Sequence, residues 1–138
     1  MSIRVLKIIL IVFDGLQGWF YVAGNIANWN TGIEAVGYVT SMVEHNVYSN
    51  RIFPPITNPV LITLIFICII FGEFLVGALS LIGAWDLWKV RHESAETFNS
   101  SKHYALLGSG MAMVVWFGGF VVIGGANLLC KVFPVNNS

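Results

Sequence analysis

Charge is the scarcest commodity in this chain. Only 10% of its 138 residues are Asp, Glu, Lys or Arg, and the formal net charge is zero. A soluble domain carries about 25% charged residues, so the composition points away from a soluble domain and to a membrane protein. A neutral balance offers no attraction to nucleic acid or to an anionic surface. Cysteine is almost absent too: Cys68 and Cys130 are the pair, with no CxxC between them. That excludes a disulfide framework, a zinc motif and covalent haem attachment. Cys68 lies inside an apolar run and reads as small apolar filler. The three histidines, His45, His92 and His103, sit in connections or at a span edge. A bis-histidine haem needs imidazoles inside the spans. No nucleophile–base pair is legible, so the chain is expected not to be an enzyme, and no metal or cofactor is called for.

What remains is 57% hydrophobic, with a mean hydropathy of +0.77. About 20 apolar residues at 1.5 Å rise cross the hydrocarbon core, and three segments qualify, at about 5–24, 59–87 and 104–129. The fold class predicted is an all-α integral membrane helical bundle of three transmembrane helices in one domain, 1–138. Arg4 before the first segment and Lys7 at its start raise the question of a signal peptide. Asp14, Gln17 and the bulky Trp19-Phe20-Tyr21 argue for a retained span.

Asn58-Pro59 is a clean helix start, an N-cap followed by proline where no N–H is needed. Trp85 and Trp88 mark the far interface of that span. Asn99 or Ser101 is the expected cap of the third span, and Pro134 its end. In the connection after the first span, Thr31-Gly32-Ile33-Glu34 fits a capping box. Ile33, Val36, Thr40, Val43 and Val47 recur at helical spacing. A short amphipathic helix over about 31–47 is expected there, lying on the membrane or over the bundle mouth.

Basic residues set the orientation. Arg4, Lys7, Lys89, Arg91 and Lys102 fall on one side, Arg51 and Lys131 on the other. The N-terminus and the 88–103 loop are therefore expected to be cytoplasmic. The Asn99-Ser100-Ser101 sequon then lies on the wrong side for glycosylation.

Glu73 is the most informative residue. An ionisable group at bilayer depth costs roughly 2.5–3.5 kcal/mol on insertion scales and marks a site by default. Thr63, Phe66, Ile70, Glu73, Gly77, Ser80 and Ala84 share one helical face, so Glu73 is expected in a helix–helix seam. Asp14, Gln17, Tyr21, Asn25 and Asn28 form a polar stripe on the first span. The intramembrane polar candidates are Glu73, Asp14, Gln17, Tyr21 and Ser80. The packing candidates are Gly77, Ala84, Gly110, Gly118, Gly119 and Gly125, because small residues let backbones approach in lipid. An antiparallel first pair brings Asp14 and Glu73 to similar depth. The acids then share a proton, hold a cation, or hydrogen-bond to Gln17, Tyr21 or Ser80.

Certain stretches resemble one family. They are Ile56-Thr57-Asn58-Pro59, Glu73 with Gly77 and Gly83-Ala84-Trp85, and Phe98-Asn99 with Lys102. Val115-Trp116-Phe117, Ile123-Gly124-Gly125-Ala126 and the stretch Tyr38 to His45 complete the set. Up to about Asn127 the chain resembles the bacterial predicted small integral membrane protein family, a domain of unknown function. The resemblance implies a compact helical membrane domain without an assigned activity, and the expected location is the bacterial inner membrane. It also implies a further hydrophobic segment after Ile123–Ala126. The usual last segment is thus expected to be missing here, leaving a three-span variant or a surface completed by another chain.

The leading functional expectation is an accessory or scaffold subunit that self-associates or joins a larger membrane complex. The alternatives are a proton or cation pathway through Glu73 and Asp14, and a quinone- or haem-bearing anchor of a respiratory complex.

Overall fold

The computed structural model describes residues 2–41 and 54–124, and these are helical throughout apart from short connections. Helix α1 spans Ile3–Ala27, α2 Trp29–Ser41, α3 Pro59–Lys89, α4 Ala95–Ser100 and α5 His103–Ala112. A π-helical stretch, Met113–Gly124, continues α5. Three stretches are long and apolar enough to cross a membrane: Ile3–Ala27, Pro59–Lys89 and Ala95–Val121. The expected all-α membrane architecture is therefore present. Val43, Val47, Gly125, Pro134 and residues 125–129 of the third segment lie outside the described residues.

Helix α3 is the centre of the bundle. It begins as its sequence dictates: the Asn58 side chain accepts from the amides of Val60, at 2.9 Å, and Leu61, at 3.4 Å. This satisfies two of the orphan donors of a first turn. The face from Phe66 through Glu73, Gly77 and Ser80 to Ala84 is buried. A second buried line, Gly72, Val76, Gly83 and Leu87, makes α3 a two-sided helix. It packs against α1 on one side and against α5 on the other.

The α1–α3 pair is antiparallel. Ile8, Gly15, Gly18 and Val22 form the buried line of α1. Gly18 meets the α3 backbone at Gly77, and Gly15 meets Leu81. On the other side, Gly83 faces the Ala105 backbone and Gly108 faces Ser80. These contacts need hydrogen where other residues carry Cβ, which is how helices close on one another without a hydrophobic drive.

Three expectations are corrected. The capping box does not form, because α2 starts at Trp29, only one residue past α1, and Thr31 lies inside the helix. Its backbone continues instead from Asn28, whose carbonyl accepts the Gly32 amide at 2.9 Å. The expected short helix is present as α2, but it does not cover the bundle mouth. It runs on beside the first half of α3, with Trp29 against Phe66 at 5.2 Å between ring centroids. Thr40 closes this strip, its carbonyl accepting the Ile56 amide at 2.9 Å. Finally, neither Asn99 nor Ser101 caps the third span. Ser94 caps α4 through the Thr97 amide, while Asn99 accepts from Lys102 and Ser101 donates to the Thr97 carbonyl. Lys102 stands at the α5 cap position, and its side chain caps no α5 amide.

Candidate functional site

The N-terminus and the turn after α3 share one end of the bundle. Arg4 Nη1 donates to the carbonyls of Arg91, at 3.1 Å, and Glu93, at 2.6 Å. Its guanidinium also lies 5.0 Å from the Phe98 ring centre. From that anchor α1 and the third span run parallel. Asp14 reaches Ser109 and Tyr21 reaches Trp116, both pairs 95 positions apart in sequence. With α3 antiparallel beneath, Asp14, Tyr21 and Asn25 of the α1 stripe lie along the line where three helices meet, and Gln17 stands outside it.

Two polar clusters occupy that line. In the first, Asp14 Oδ2 accepts from Ser80 Oγ at 2.8 Å and from Ser109 Oγ at 3.3 Å. One carboxylate oxygen thus joins all three spanning helices. Ser80 is completely buried. In the second, Glu73 Oε2 accepts from Asn25 Nδ2 at 2.7 Å, and Glu73 is also completely buried. Its Oε1 has no partner among the described residues, and neither has the buried Nε1 of Trp116. Trp116 stands close to the Glu73 carboxyl, but its N–H makes no bond of good geometry.

The two acids do not meet at one depth, contrary to the antiparallel expectation. Asp14 is level with Ser80, seven residues along α3 from Glu73. At 1.5 Å rise this separates the clusters by about 10 Å. The helix register places Gly18 against Gly77 between them, with the Trp19 indole also lying against Gly77.

The other expected residues divide. Tyr21 is 48% exposed, its ring 5.5 Å from Trp116. Gln17 is exposed and hydrogen-bonds to no described residue. Gly77 and Ala84 are buried in the α3 seam. A Cβ on Gly110 would meet nothing within 4 Å, and Gly118 and Gly119 have only carbonyls of their own helix near that limit. The close glycine contacts of the third span fall instead at Gly108. Asn25 and Ser109 complete the clusters. Asn25 was signalled by its place in the polar stripe. Ser109, flanked by Gly108 and Gly110, carried no signal.

Comparison with curated proteins and with solved structures finds no match. A family model does match, over residues 3–129, and its description is predicted small integral membrane protein (DUF2165). Three helices able to span a bilayer, joined inside by buried polar side chains, agree with that description. With nearly its whole length inside the match, the chain belongs to this family of small integral membrane proteins.

Proposed function

We propose that the protein is a non-catalytic accessory or scaffold subunit of a membrane assembly, acting through helix packing. The observation that carries this reading is the way the two intramembrane acids are held. Each takes its hydrogen bonds from other helices, Asp14 from Ser80 and Ser109 and Glu73 from Asn25. Such bonds fasten helices at roughly 0.6 kcal/mol each, up to about 2. They perform no chemistry by themselves. A third or less of each span is buried inside the chain, leaving broad faces for lipid and neighbours.

The test is a native gel of membranes solubilised in mild detergent, from cells producing the tagged chain at its natural level. Migration well above a 15.2 kDa monomer is expected. A monomer of full helicity overturns the reading. The proposed location is the bacterial cytoplasmic membrane, with Arg4, Lys7, Lys89, Arg91 and Lys102 facing inward. A green fluorescent protein fused to the N-terminus is expected to fluoresce. A dark fusion of normal abundance reverses the orientation.

One observation favours a second reading, a proton or cation pathway. Glu73 Oε1 and Trp116 Nε1 are a buried acceptor and donor without partners. A path from there to Asp14 must bridge about 10 Å, beyond one hydrogen bond. Proteoliposomes discriminate: a flux abolished by Glu73→Gln supports the pathway, and no flux from the unaltered protein eliminates it.

A further inference from the structure

Gln17 is the odd side chain on the outer face of α1. It lies within a turn of the middle of Ile3–Ala27, so it stands near the bilayer centre. It is exposed, it points away from the buried line of Gly15, Gly18 and Val22, and no described residue bonds it. Acyl chains offer an amide nothing, and the headgroups are too far for so short a side chain. Polar groups at this depth find partners on other helices.

The surroundings of Gln17 are ordered like one half of a helix pair. Leu10, Gln17 and Gly24 recur every seven residues, and Leu6, Phe13 and Phe20 form the alternate set. All six are exposed, Phe13 by 64% and Phe20 by 73%. This is the a/d spacing of a left-handed two-helix seam, with one polar residue at an a position, the device that fixes register. Gly24 has open space where a Cβ would stand, so a facing helix could come close there.

We infer that this face of α1 is a homodimer interface, in which Gln17 pairs with Gln17 of a second copy. Two copies inserted with the same topology carry Gln17 at one depth. A two-fold axis along the membrane normal then brings the residue onto itself. A primary amide both donates and accepts, so two of them satisfy each other reciprocally. A second copy is therefore the occupant whose chemistry this face specifies. The inference rests on the assembly reading above and names one of its interfaces.

The test is oxidative cross-linking in native membranes, with Cys68→Ser and Cys130→Ser removing the chain's own thiols. Phe13→Cys and Phe20→Cys are expected to give disulfide-linked dimers. Ala23→Cys, exposed but about 100° round the helix from the seam, is expected not to. In the cross-linkable background, Gln17→Leu is expected to weaken dimerisation roughly five- to thirty-fold, the range of one interhelical amide pair in model helices. Gln17→Leu should keep the helicity and melting temperature of the monomer, because the side chain touches nothing in its own bundle. Equal cross-linking at Ala23→Cys, or a Gln17→Leu dimer as tight as the parent, overturns the interface. A large complex on the native gel without α1–α1 cross-links sinks this inference and leaves the assembly reading standing. A lone monomer sinks both.

Discussion

Gly18 and Gly77 bring the backbones of α1 and α3 into direct contact. A Cβ on Gly18 would lie 2.6 Å from the Gly77 amide nitrogen and 2.7 Å from the Glu73 carbonyl oxygen. Backbone cannot rotate aside as a side chain can. Gly18→Ala is therefore expected to force the helices apart and cost about 1–3 kcal/mol. Gly110→Ala is the matched control, because its Cβ enters open space and gains helix propensity of about 0.8–1 kcal/mol. Thermal unfolding in mild detergent should lower the midpoint for the first and hold or raise it for the second. Equal midpoints would refute the close seam.

The Asp14 cluster predicts an order of effects. Ser80 donates at 2.8 Å and Ser109 at 3.3 Å to the same oxygen. Ser80→Ala should therefore cost more than Ser109→Ala, with about 1–2 kcal/mol as the upper range for the former. A double-mutant cycle with Asp14→Ala measures the coupling. A coupling of zero between Asp14 and Ser80 would mean that the bond does not exist in the membrane.

The Glu73 cluster is asymmetric, and so is its prediction. Asn25→Leu removes the one donor and leaves a fully buried carboxyl unpaired, at a cost of about 1–3 kcal/mol. Trp116→Phe deletes an N–H that bonds nothing and keeps the ring beside Tyr21, so stability should stay within about 0.5 kcal/mol. A large loss in Trp116→Phe would show that the indole closes onto Glu73 Oε1.

At the Arg4 end, the guanidinium joins α1 to the 91–93 turn through two carbonyls and the Phe98 face. Lysine offers a point charge and no planar fork. Arg4→Lys should therefore speed hydrogen exchange of the amides from Arg91 to Phe98 nearly as much as Arg4→Ala does. Exchange unchanged in both would show that the turn holds itself.

Much of this was legible because membrane depth makes polar residues conspicuous. Asn58 and Pro59 announced the start of α3, and the small face around Glu73, Gly77 and Ser80 announced its seam. Other features were hidden for physical reasons. Helix α3 is apolar all round, so spacing alone could not reveal that Gly72, Val76 and Gly83 form a second buried line against α5. In the third span nothing local distinguishes Gly108, which packs against Ser80, from Gly110, which meets nothing. The capping box of Thr31 lost to helix continuation through Asn28, and Ser94 captured the cap expected from Asn99 or Ser101. The relative depth of Asp14 and Glu73 depended on the α1–α3 register, which Gly18 and Gly77 set. The π-helical winding from Met113 had no sequence sign.

The Asp14 bonds also set a timetable for biogenesis. Its partners lie 66 and 95 residues downstream. At about 5–20 residues per second of synthesis, Ser80 follows after roughly 3–13 s and Ser109 later still. The first helix must therefore wait, its acid without either hydroxyl, until the ribosome has delivered the rest. Whatever shelters the nascent helix during that interval, whether translocon, insertase or water, is as necessary to this protein as the contacts that finally replace it.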